Sequence, residues 1–184
     1  VEERETYRVK IGALTRHLPL FEVGPNVRIA LFNLLGDSEV VQAAAAALAP
    51  GLAEIEPDVL VTAETKSIPL AYQLALELEK PWVVLRKAYK PYMGSALSYE
   101  TNSITTGATQ TLYLDEKDRM LVRGKRVAIV DDVISTGSTL QAMRSLMDQA
   151  GAETVACAAV FIEGDGSGAE DALALGRLPL FAGD

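Results

Sequence analysis

The sequence predicts an α/β chain built on a doubly wound, mainly parallel sheet. Three observations carry that expectation. Four short, β-branched apolar runs occur at 58–63, 82–86, 126–130 and 154–162. The first and third lead into helical stretches of about 10–15 residues, the rhythm of strands joined by helical crossovers. Proline and glycine punctuate the boundaries, as at Lys80-Pro81 and Gly151. Right-handed crossovers place ligands outside the carboxyl ends of such strands. At 184 residues the chain reads as a single domain, 1–184.

Taken in order, Val1 to Lys10 alternates charges without clear periodicity and is expected to be a loosely held terminus. Ile11 to Leu35 mixes glycine, proline and apolar residues and reads as short strands or loops. SEVVQAAAAALA (38–49) is helical, with Asp37 or Ser38 as cap, Glu39 in the first turn and Pro50-Gly51 as the stop. DVLVTA (58–63) is a strand, and a helix from Ile68 to Glu79 follows with Ser67 as its cap. WVVLR (82–86) and RVAIV (126–130) are buried-type strands, and a helix after the second runs through Gln149. TVACAAVFI (154–162) is the fourth strand, with the single cysteine, Cys157, as a buried thiol. Between Lys90 and Gly124 lies a polar, Thr- and Ser-rich stretch with strand-like alternation at Gln110 to Leu114 and no helix. A connection that long inside a compact α/β unit is usually functional.

Composition removes several classes. With 25 acidic against 17 basic residues the formal charge is −8, the wrong balance for a phosphate-backbone footprint, so no nucleic acid partner is expected. No apolar stretch reaches the roughly 20 residues that span a bilayer, and Val1 to Lys10 is not signal-like, so no membrane partner and a cytoplasmic location are expected. One cysteine allows no disulfide framework. His17 is the only histidine, and nothing pairs with it as a metal site or triad. GDGSGA (164–169) fits a loose dinucleotide pattern, but too little chain follows for its second strand and acid, and it reads as a surface loop.

VAIVDDVISTGSTL (127–140) is the most informative text. An apolar strand runs into two adjacent carboxylates, Asp131 and Asp132, then a turn of small residues, Ser135, Thr136, Gly137, Ser138 and Thr139, then a helix. Small residues let backbone amides converge, Gly137 permits unusual dihedrals, and the helix N-terminus adds positive potential. Such an end cradles a phosphate. Paired carboxylates are poor phosphate partners but good acceptors for a ribose diol, so the combination suits a sugar phosphate.

That run resembles the signature of type I phosphoribosyltransferases, which bind 5-phosphoribosyl 1-pyrophosphate (PRPP). The resemblance extends from about Val27 to the C-terminus. It implies the type I phosphoribosyltransferase fold, with a small N-terminal hood (1–35) and a flexible β-hairpin loop (92–113). It implies transfer of phosphoribose from PRPP to a purine base, magnesium as cofactor and a homodimer. Thr65, Lys66 and Ser67 fall on the pyrophosphate loop, and Arg86, Lys87 and Lys90 join Lys66 as a positive cluster facing pyrophosphate. Asp131 and Asp132 would take the ribose diol and meet the metal indirectly, through PRPP and water; residues 135–139 would hold the 5′-phosphate. Asp131, Asp132, Lys66 and Arg86 carry the expected catalysis, with Thr105 where adenine-type enzymes have a loop glutamate. Val27, Arg28 and Glu163 would border the base.

Xanthine-type enzymes are similar around VTAETKSIP, but Leu34 and Gly164 stand where they place a base-contacting asparagine and a lysine. The hood text VRIALFNLLGDSE and the ending LGRLPLF look adenine-type, so adenine is the expected base. TKSIPLAY (65–72) also resembles the effector domain of the Gram-positive purine repressor, a PRPP sensor without known transferase activity. That protein needs a preceding winged-helix module, for which the N-terminal stretch here reads as too short and too acidic. Its PRPP loop also departs from T-G-x-T, which is intact here as Thr136 to Thr139.

Overall fold

The computed structural model describes residues 4–102, 109–166 and 168–183. Its centre is a five-stranded parallel sheet of β4 (Val59–Ala63), β5 (Trp82–Leu85), β8 (Arg126–Ile134), β9 (Glu153–Glu163) and β10 (Leu173–Leu178). The spatial order is β10-β9-β8-β4-β5, every pair parallel. Helices α1 (Ser38–Ile55) and α2 (Ile68–Leu78) cover one face and α4 (Ser138–Ala150) the other. The period-2 alternation of strands explains the two cores. Leu60, Ala128 and Val130 pack toward α1 and α2, whereas Val59, Val61, Val127 and Ile129 pack toward Leu140, Met143 and Met147 of α4. The expected doubly wound sheet is therefore present.

The hood is a separate antiparallel sheet of β1 (Thr6–Ile11), β2 (Leu14–Gly24), β3 (Val27–Ala30) and β11 (Leu180–Ala182), in that order. Residues 6–11 are thus a paired strand, contrary to the expectation of a loose terminus. Val9 and Ile11 bury their side chains in the α1 core, which repays the ordering of a charged segment. A hairpin, β6 (Leu97–Asn102) against β7 (Thr109–Leu114), stands on the α4 side, with Leu112 and Leu114 fully buried at its root.

Three other expectations are corrected. Helix α1 does not stop at Pro50 but continues to Ile55. Pro50 and Ala46, whose carbonyl loses its partner, both lie on the exposed face, while Leu48 and Leu52 are buried on the other. The freed carbonyl lies on the solvent side, and packing outweighs the local penalty. The stretch 90–124 contains a helix after all, α3 (Glu116–Val122), started by the Asp115 side chain accepting from Lys117 N–H at 3.1 Å. Finally, β8 does not end before its acids but runs through Asp131 and Asp132 to Ile134, because β9 continues beside it with Asp131 opposite Ala159 and Ile134 opposite Ile162.

Hood and helix layer meet where Arg16 of β2 reaches Asp37 and Glu39 at the start of α1. Asp37 caps α1 by accepting from Val40 N–H at 3.1 Å, and it also receives Arg16 of β2 at 3.0 and 3.3 Å. The Arg16 hydrogen bond, then the Val40 amide, hold the Asp37 carboxyl below the usual carboxylate range. The side chains are 28% and 35% exposed, so solvent screens the ion pair and the cap dominates. Asp37→Ala should cost about 1 kcal/mol, lowering Tm by roughly 2–4 °C for a chain of this size. A depressed carboxyl stabilises above its unfolded pKa and ceases to as pH falls through the folded one. The gap between wild type and variant, measured by thermal melts, should therefore be present at pH 7 and close in acid.

Candidate active site

The carboxyl ends of β4 and β8 converge on the N-termini of α2 and α4, and a buried hydroxyl pin fixes how. Thr62 Oγ1 lies 2.8 Å from both the Val130 carbonyl and the Ser67 hydroxyl, and Ser67 donates to the Ala63 carbonyl at 3.2 Å. Thr62 is fully buried and Ser67 almost so. Ser67 does occupy the cap position of α2, but its hydroxyl serves this pin, and no side chain caps that helix. Gly137 at the cap of α4 has φ 73° and likewise makes no side-chain cap bond. The start of α4 thus keeps first-turn N–H groups for another acceptor, whereas in α2 Pro69 has no N–H and Ile68 N–H already donates to the Thr65 carbonyl at 3.4 Å. Beside Gly137, Thr136 and Ser138 share a hydroxyl contact at 3.2 Å. A Cα hydrogen alone makes the left-handed geometry at Gly137 inexpensive.

Between these elements lies a cavity of about 360 Å³, lined by Glu64, Thr65, Lys66, Ser67, Lys87, Asp131, Asp132 and Thr139 with Ala63 and Val133. Three separate stretches of sequence, 63–67, Lys87 and 131–133 with Thr139, meet here. The Glu64–Thr65 peptide is cis. Asp131 accepts from Asp132 N–H at 2.9 Å, and its carboxyl is pushed up to about 8, first by burial and then by the neighbouring Asp132 charge. Burial and the neighbouring acid thus both favour the protonated form of Asp131.

Other expected residues fall elsewhere. Arg86 pairs with Glu64, and its backbone bridges Tyr113 of the hairpin in both directions at 2.9 and 2.8 Å. Lys90 is exposed and opens a single 3-10 turn, Pro91–Met93. Ser135 belongs to the turn that precedes α4. Val27 and Arg28 open β3, away from the cavity lining; the Arg28 guanidinium donates to the Ala182 carbonyl at 3.0 Å and to Glu5 at 2.9 Å. Glu163 ends β9, half-buried, with its carboxyl raised by that burial. The hood approaches it there, since Gly164 N–H donates to the Leu178 carbonyl at 3.0 Å just before β11. Thr105 lies outside the described residues.

Sequence reasoning missed two residues. Thr62 was a hydroxyl inside a continuous apolar strand, and its position was the available signal, since a buried donor must find a partner. Glu64 was an acid amid the basic cluster. It receives Arg86 Nε on one oxygen and Lys87 N–H, at 2.8 Å, on the other. As to metal, no group of three or more His, Cys, Asp or Glu among the described residues could hold an ion. Asp131 and Asp132 would supply carboxyl oxygens only to an ion held mainly by other ligands.

The phosphoribosyl transferase domain family matches residues 36–176. The purine biosynthesis transcriptional repressor PurR of Bacillus subtilis is 35% identical over 77% of this chain and 49% of its own length. A hypoxanthine/guanine phosphoribosyltransferase of Methanococcus voltae is 38% identical over 59% of this chain and 54% of its own. The adenine phosphoribosyltransferase of Petrotoga mobilis is 33% identical over 66% and 68%. The chain thus spans about half the length of the first two. The crystal structure of adenine phosphoribosyltransferase from Rhodothermus marinus superposes with a TM-score of 0.67 at 24% identity, covering 94% of each chain, a likeness of fold.

The Asp131 carboxyl yields a stability prediction. Its folded pKa exceeds the unfolded value, so the folded state binds the extra proton and the group's contribution to stability falls as pH rises from about 4 through about 8. Asp131→Asn should therefore raise the Tm of the ligand-free protein at pH 8 by a few degrees, roughly 2–4 °C per kcal/mol, and by less at pH 5. Scanning calorimetry at the two pH values checks both the sign and the trend.

Proposed function

The chain belongs to the phosphoribosyl transferase family, and on that premise we propose that it transfers phosphoribose from PRPP to a purine base, adenine first, with release of pyrophosphate. The observation that carries the reading is the cavity lined by 63–67, Lys87, 131–133 and Thr139, where the Asp131–Asp132 pair lies between the 63–67 loop and the uncapped start of α4. A sugar with a phosphate at each end needs amides at those ends and oxygen acceptors between them. On this reading residues 135–139 hold the 5′-phosphate, Asp131 and Asp132 take the ribose hydroxyls, and Thr65, Lys66 and Lys87 meet the pyrophosphate.

At the anomeric carbon the bond to pyrophosphate oxygen breaks as the bond to a base nitrogen forms, and positive charge develops on the sugar ring. Cations already placed at the leaving end stabilise the departing charge without reorganising. A magnesium ion bound to the pyrophosphate oxygens would add to that neutralisation. Val27, Arg28 and Glu163 remain our candidates for the base, on the hood side of β9. A homodimer belongs to the same reading; α2 turns Tyr72 and Leu76 outward at 49% and 56% exposure, an apolar pair that a second copy would cover.

A second reading, a module that binds PRPP as a signal, starts from the 35% identity to PurR. A single panel separates them. With magnesium and PRPP, the protein is incubated with adenine, hypoxanthine, guanine or xanthine, and nucleotide and pyrophosphate are measured. AMP formation is expected; nucleotide from another base would reassign the base, and PRPP binding with no base consumed would favour the sensor. Lys66→Ala should lower kcat/KM by about a hundredfold. Asp132→Asn with Thr139→Ala should weaken PRPP binding by about tenfold or more while the melt stays cooperative. Unchanged binding there would remove the site assignment.

A further inference from the structure

Glu64 sits in the cavity that the proposed function gives to pyrophosphate, and any role for it there rests on that reading. Its carboxylate receives the Arg86 guanidinium on Oε1 and the Lys87 backbone N–H on Oε2, the latter at 2.8 Å. A guanidinium and an amide on consecutive residues form the kind of fork that binds the oxygens of a phosphoryl group. Here an internal carboxylate already fills the fork. The two side chains are only 22% and 33% exposed, so the pair is partly shielded from solvent screening. Lys66 and Lys87 line the cavity, whereas Arg86 does not; Glu64 holds its charge aside.

We propose that Glu64 is a specificity-determining residue: it stands in for a phosphoryl group on the Arg86–Lys87 fork, and a diphosphate displaces it where a monophosphate does not. An internal competitor lowers the apparent affinity of every ligand that needs the fork, by the fraction of time the fork is occupied. A diphosphate anchors one phosphoryl group on the Thr65–Ser67 loop and can present the second to the fork. Orthophosphate has no second group, and its lower charge competes poorly with a carboxylate that is already in place. The fork's other attachment carries the exchange further, because the Arg86 backbone is paired with Tyr113 at the root of the hairpin.

Calorimetric titration of the full chain with inorganic pyrophosphate, and separately with orthophosphate, tests this. Glu64→Gln keeps the shape and removes the charge, and it should bind pyrophosphate about five- to tenfold tighter. Its gain for orthophosphate should be larger still, so that the preference for pyrophosphate falls. Adding Arg86→Gln to Glu64→Gln should abolish the gain. Glu64→Asp keeps the charge but is a methylene too short to serve both donors, and should fall between wild type and Glu64→Gln, which separates the effect from a folding defect. Unchanged or weaker pyrophosphate binding by Glu64→Gln and Glu64→Asp overturns the proposal, as does a gain that survives loss of Arg86. PRPP with magnesium is titrated alongside. If wild type binds PRPP but Glu64→Gln shows no gain, the Glu64 proposal alone fails; if neither binds PRPP, the functional reading fails with it.

Discussion

The site depends on one buried contact, the Thr62 hydroxyl wedged between the Val130 carbonyl and Ser67. It ties the end of β4 to the end of β8 and to the start of α2. The parallel ladder sets the spacing of the two strands up to Thr62 and Val130, and the pin carries that spacing on to the start of α2. A hydroxyl with no water in reach must keep its partners, so the contact holds the loops in register more firmly than an apolar residue of similar volume would. The same contact explains why α2 lacks a side-chain cap. Ser67 serves the pin, and Pro69 leaves the first turn with one N–H fewer to cap.

Stability and chemistry pull against each other along this edge of the sheet. Asp131 and Asp132 sit side by side on a strand, where a central sheet would ordinarily carry apolar residues. The raised Asp131 carboxyl is the mark of that conflict. Carboxylates crowded together in a partly dry cleft are tolerated where a ligand or its counter-ion relieves them. The rest of the fold supplies the reserve, with Leu60, Val61, Val127 and Val130 fully buried or nearly so directly beneath.

Strong periodicity and dense chemistry were legible in the amino-acid sequence alone. Strands β4, β5, β8 and β9 and the helices that follow β4 and β8 arise from local pattern, because each is specified by residues adjacent in sequence. What escaped was decided by distant partners. Strand β8 extends through its acids only because β9 lies alongside. Pro50 stays helical only because Leu48 and Leu52 pack on the far face. Helix α3 is seven residues long and highly charged, too brief for periodicity to register, and its start depends on Asp115. Of the expected pyrophosphate residues, Lys66 and Lys87 reach the cavity, but Arg86 is held by Glu64, a pairing across 22 residues that spacing does not reveal.

Strand β11 completes the hood by pairing with β3, Leu180 opposite Ile29 and Ala182 opposite Val27, while Gly183 N–H reaches the Asn26 carbonyl. These partners are separated by roughly 150 residues, and contacts of such long range form late because the loop they close is entropically expensive. During synthesis β1, β2 and β3 emerge first and wait, with one edge of β3 unpaired, until the whole parallel sheet has been made. The hood would then be the last part to lock, and a nascent chain halted before Leu180 would expose a strand edge of the kind that chaperones and aggregates both recognise.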